Sequence, residues 1–219
     1  MKDFDKIYLS WRPANRKHRY IVGVLEHHPD DKYTFSYITS GVEEAQKEGF
    51  SPYTEFADTT KTYNSNVVLD VFSQRLMKAE RRDVQNFYDF WEIDNQFVND
   101  KFYLLGHTEG LLPTDNFEFL AEYKPIAGLH FLTDLVGVNE LHLPMNSVNK
   151  GDELRYELDA NNSNYPNPVR VYKGDIELGF IKRIHSNLFY NLGEIKAALM
   201  VKTINQHGYI KRIFVKVSL

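Results

Sequence analysis

The segment VRVYKGDIELGFIK, residues 169–182, constrains this chain more than any other stretch. Two strand-like runs flank Lys173-Gly174-Asp175, and a tight Gly-Asp turn between such runs predicts a β-hairpin. One hairpin is not stable alone in water, so further strands must lie nearby. Leu154, Tyr156 and Leu158 alternate with Glu153, Arg155 and Glu157, the period-two signature of a strand with one dry face. ALMVKTI (198–204) and YIKRIFVKV (209–217) form a second hairpin through 205–208, and His185 to Leu192 reads as a helix. This half of the chain is β-rich.

The front half reads differently. IYLSW (7–11), RYIVGVLE (19–26) and KYTFSYI (32–38) are rich in β-branched and aromatic residues and predict a three-stranded meander, with HHPDD (27–31) as a turn. A short helix over 42–48 stops at Gly49. Val68, Val71, Phe72 and Leu76 then recur at helical spacing over 66–76, and Phe87, Phe90 and Trp91 do so over 84–93. A further helix over 100–106 ends at Gly106. Strands followed by helices predict an α+β unit, packed on the β-rich one.

The chain has 219 residues, enough for two small domains. A cut after Tyr123 leaves 14 Lys+Arg against 21 Asp+Glu before it and 12 against 9 after it, net charges of -7 and +3 that sum to -4. The asymmetry predicts units 1–123 and 124–219 with different partners, joined by a short connection at Pro125 and Gly128. A polycation that coats nucleic acid is excluded, but a local basic face is not. There is no cysteine, which removes disulfides, thiol nucleophiles and thiolate zinc sites. No apolar run reaches the length of a membrane span, and MKDFDKIYLSW lacks the apolar core of a signal peptide. The expectation is a cytoplasmic protein without membrane contact or cofactor.

Three motifs invite chemistry and carry little of it. His27, His28, Asp30 and Asp31 offer metal-ligand types, but adjacent side chains on a turn cannot all face one ion, so a solvated hairpin tip is expected. His107-x-Glu109 opens a zinc-deaminase signature whose Pro-Cys-x-x-Cys element is missing. Asp115, Glu122 and Lys124 resemble the order of a metal-dependent nuclease core, with only six residues between the two acids. No phosphate-cradling glycine loop and no Gly-x-Ser-x-Gly elbow occurs. No complete catalytic motif is present, and a non-catalytic protein is expected.

A basic and aromatic mixture in the second half is more informative. Lys182, Arg183 and His185 sit where a strand runs into a helix, beside Phe180, Phe189 and Tyr190, and the loop 161–167 is amide-rich and carries Tyr165. Basic groups track phosphates and aromatic faces stack bases, a combination suited to single-stranded nucleic acid. An ordinary strand end over an aromatic core has the same composition.

These residues resemble the HIRAN domain, a β-rich module of bacterial proteins and of a eukaryotic DNA-remodelling helicase. The resemblance covers about 128–205: Gly128-Leu129-His130-Phe131 is similar to the family's opening strand, DANNSNYPNPVRV (159–171) to its Asn-rich loop, and LGFIKRIHSNLFYNL (178–192) to its last strand and helix. The family grips the 3′ end of single-stranded DNA. The resemblance therefore implies that Phe131 stacks on a base, that His130 replaces an arginine, and that Lys182 and Arg183 contact phosphates. Asn164 stands where the family has an aromatic residue and Tyr165 where it has an acid, so the resemblance does not carry over the family's acidic contact near the 3′-hydroxyl, only its phosphate and stacking contacts.

The front half resembles the N-terminal subdomain of HipA-type kinase toxins through residues 22–38, 49–56 and 71–83, with Lys78 at a proline position. The catalytic lobe of those kinases has no counterpart here. Two functions follow as expectations: binding of single-stranded or end-containing DNA by the second unit, or regulation of a kinase-like protein partner through the acidic first unit. A nuclease is a distant third.

Overall fold

A computed structural model describes residues 3–13, 18–64, 66–159 and 166–219. It is a mixed α+β, strand-rich fold of two compact units, residues 1–122 and 123–219.

In the first unit, β1 (Lys6–Trp11), β2 (Tyr20–His27), β3 (Tyr33–Tyr37), β4 (Thr62–Asn64) and β5 (Phe117–Ala121) form one antiparallel sheet in the order β4-β3-β2-β1-β5. The expected meander is its centre. Alternation sends Ile7, Leu9 and Trp11 of β1, and Phe35 and Tyr37 of β3, into the core. The helices are α1 (Thr39–Gln46), α2 (Asn66–Ser73), α3 (Val84–Trp91) and α4 (Lys101–His107). Phe72 of α2 meets Phe35 and Phe119 edge-on, each at 5.0 Å between ring centroids; of the stripe read at 66–76, Val68 and Phe72 are core, while Val71 and Leu76 are half-buried and the helix stops at Ser73. Asp100 caps α4 by accepting the Tyr103 N–H at 2.9 Å.

Past α2, Arg75 is almost wholly buried. Its guanidinium donates to both oxygens of Asp115, at 2.6 and 2.7 Å, to the Gly110 carbonyl at 2.7 Å and to the Tyr53 hydroxyl at 2.7 Å. One side chain thus joins three loops. Burial pushes the Tyr53 hydroxyl up to about 12.

In the second unit, β6 (His130–Asp134), β7 (Glu153–Leu158), β8 (Val169–Lys173), β9 (Ile176–Phe180), β10 (Ala198–His207) and β11 (Tyr209–Ser218) form an antiparallel sheet in the order β6-β11-β10-β7-β8-β9. Both predicted hairpins are present. The second turns more tightly than expected, with His207 opposite Tyr209 across Gly208. The sheet curls into a half-barrel whose far ends meet: Val136, just past β6, and Phe180 at the end of β9 exchange main-chain hydrogen bonds of 2.7 and 2.8 Å. Gly179 permits this approach, because it holds a φ of 121° and a Cβ there would overlap the Val136 carbonyl oxygen. Helix α5 (Arg183–Tyr190) buries Ile184, His185, Leu188 and Phe189. No helix among the described residues is long and apolar enough to cross a membrane.

Candidate nucleic-acid interface

The curled sheet decides which predicted site residues can meet a ligand. Phe131 cannot as it stands. The register of β6 on β11 sets it opposite Val217 on the buried side. Its ring is stacked on Tyr123 at 3.9 Å and meets His185 edge-on at 5.3 Å, so it packs the core instead of presenting a face to a base. Lys182 is likewise wholly buried. Its ammonium pairs with the Asp134 carboxylate, whose other oxygen accepts from Arg212 Nε at 2.7 Å. The turn from β9 into α5 carries this lysine inward and leaves its neighbour Arg183 exposed, without an ion pair among the described residues. His130 is half-buried, with Nδ1 at 3.4 Å from the Gly128 carbonyl. Asn164 and Tyr165 lie outside the described residues.

Phe180 remains partly exposed, and it belongs to a group that composition did not single out. Pairing across β7, β8 and β9 places Arg170 between Glu157 and Phe180, and Tyr172 between Arg155 and Glu177. Their neighbours Val169, Val171 and Leu178 point into the core, so these six side chains share the outer face in two rows of three. A bulge at Val171/Tyr172 makes this possible. It skips Leu178, which turns inward, and brings Glu177 back to the side of Phe180.

Each row holds an arginine against a ring. The Arg155 guanidinium lies 4.1 Å from the Tyr172 ring centre, and that of Arg170 lies 5.2 Å from Phe180. Both distances fall within cation–π reach. Arg155 is further held by the Gly174 carbonyl at 3.0 Å and by Glu157. Arg170 lies 3.3 Å from Asp159 and 3.4 Å from Glu177. Loss of hydration, followed by the charges of Glu157 and Glu177, raises the Tyr172 hydroxyl pKa. Planar guanidinium groups and rings sit side by side on the outer face, groups suited to stacking, while the carboxylates compete with any phosphate for the arginines.

No protein-family model, curated protein or solved structure matches this chain. The site therefore has to be read from its own groups. The signal for it was present in VRVYK, where Arg170 and Tyr172 alternate with Val169 and Val171. What period two alone could not show is that Arg155 and Phe180 flank them from separate strands.

The remaining motifs are occupied by local contacts. His27 stacks on Tyr33 at 4.6 Å and lies 3.2 Å from Asp31, while His28 meets the Thr34 hydroxyl at 2.8 Å. His107 and Glu109 are both fully buried, with His107 at 3.1 Å from Asp3. Asp115 is clasped by Arg75. Among the described residues no three His, Asp or Glu side chains are grouped to hold a metal ion.

Proposed function

We propose that this chain is a non-catalytic nucleic-acid-binding protein that takes a single strand, or the single-stranded end of a duplex, on the outer face of β7, β8 and β9. The two arginine-on-aromatic rows carry this reading. Bases would stack on Tyr172 and Phe180, and Arg155, Arg170 and the exposed Arg183 would turn toward phosphates. The resemblance of residues 128–205 to the HIRAN domain supports the same function, with the contacts moved from Phe131 and Lys182 to this face. Because Glu157, Asp159 and Glu177 must yield the arginines, affinity is modest and falls steeply with salt.

Fluorescence anisotropy with labelled oligonucleotides tests the reading. Tyr172→Ala is expected to weaken single-strand binding by about 1–3 kcal/mol, the worth of one stacked base. Arg183→Ala is expected to lower the salt slope by roughly one phosphate contact. Absence of binding to single strands, overhangs and duplexes at low salt would end this proposal.

A further inference from the structure

Three carboxylates stand among the arginines on the outer face of β7, β8 and β9: Glu157, Asp159 and Glu177. For phosphate contacts alone they are a hindrance. A carboxylate only accepts hydrogen bonds, so an acid whose arginine has turned to a phosphate needs another donor. Along a DNA single strand the phosphates and the deoxyribose rings offer none, and the N–H groups on the base edges are what remains.

The two rows differ in the order of their groups. In one, Arg155, Tyr172 and Glu177 follow each other across β7, β8 and β9, with the guanidinium 4.1 Å from the ring centre. Neighbouring strands lie about 4.8 Å apart, so a cation, a flat ring and an acceptor succeed one another as the phosphate, face and far edge of one nucleotide do. Glu177 is partly exposed, and one of its oxygens lies 3.4 Å from Arg170 Nη1, longer than a well-formed charge-assisted bond. In the other row the order is Glu157, Arg170 and Phe180, and the acid lies on the far side of the arginine from the ring.

We infer that the row of Arg155, Tyr172 and Glu177 selects a guanine in the bound strand, with Glu177 accepting from N1–H and N2–H of the base stacked on Tyr172. Guanine sets two donors side by side on its pairing edge, matching the two carboxylate oxygens. Adenine and cytosine place an acceptor beside their amino group, and thymine flanks its one N–H with two carbonyls, so each sets an acceptor against the carboxylate. Phe180 has no acid beyond its ring and stacks on any base. This inference rests on the nucleic-acid reading above and adds the base that the face prefers.

The test is fluorescence anisotropy at low salt with the full chain and short labelled oligothymidines that carry one central guanine, inosine or thymine. The guanine strand is expected to bind roughly tenfold tighter than the thymine strand, with inosine, which lacks the N2 amine, between them. Glu177→Gln replaces one acceptor by a donor and should bring guanine and thymine strands to near equality, while thymine-strand binding and thermal unfolding are retained. Equal binding of guanine and thymine strands, inosine as tight as guanine, or a guanine preference that survives Glu177→Gln overturns the inference and leaves the nucleic-acid reading standing. So does loss of all binding in that variant, which would give Glu177 a structural role. A uridine RNA strand that matches the guanine strand overturns it as well, because the 2′-hydroxyl would then be the donor, as does guanosine monophosphate that competes as well as the strand. If no strand binds, both readings fall.

Discussion

Lys182 illustrates what a single buried charge demands. Its ammonium has no exposed surface and lies against Asp134, which also receives Arg212. Such a carboxylate offsets the desolvation of two cations at once, so the loss of either partner is not symmetrical. Asp134→Ala removes the carboxylate that faces the buried Lys182 ammonium and is expected to destabilise the second unit by about 3–5 kcal/mol. Lys182→Met keeps the aliphatic stem and the Arg212 contact, and should cost far less. Urea unfolding followed by circular dichroism distinguishes the two. Equal losses would mean that the stem, not the charge, matters at this position.

At the level of elements, the closure of the half-barrel rests on Gly179. A methyl group there meets the Val136 carbonyl oxygen, and the backbone sits at a positive φ that L side chains avoid. Gly179→Ala is therefore expected to cost roughly 2 kcal/mol or more and to speed exchange of the Val136 and Phe180 amides. Unchanged exchange would show that the bridge does not depend on this glycine. The same region shows how much was legible in advance. The hairpin around Gly174 could be read because turn chemistry is local, and the helices in 66–76 and 84–93 because their periodicity is, though α2 stops at Ser73; Gly106, read as the end of the next helix, lies inside α4, which runs on to His107. Strand β4 could not, since three residues carry no period. β5 was also missed: its FEFLA run is short and directly follows the Asp115 loop. The predicted dry face of β7 holds at Leu154, weakens at Tyr156 and fails at Leu158, which is 46% exposed. Lys182 and Phe131 were misjudged for one reason: a composition shared by a binding surface and a core does not reveal which way a strand faces.

On the scale of the whole molecule, the two units differ in their response to alkali. Burial pushes the hydroxyls of Tyr37, Tyr53 and Tyr103, all in the first unit, from 10.0 up to about 12. The folded unit holds these protons more tightly than the unfolded chain does. Their contribution to stability is thus complete below about pH 10 and is lost as pH rises toward 12. In an alkaline titration, tyrosinate absorbance and the fluorescence of Trp11 and Trp91, both in the first unit, should change together in that window. Ionisation of these tyrosines near pH 10 with no change in tryptophan emission would contradict the prediction. The order of strands in the second unit has a kinetic consequence as well. Strand β6 is synthesised first, yet it bonds along its length only to β11, with Phe131 opposite Val217, and contacts so distant in sequence form slowly. On the ribosome β6 must therefore wait, unpaired, until almost all of the unit has emerged, and that interval is when a chaperone or a neighbouring nascent chain could reach it.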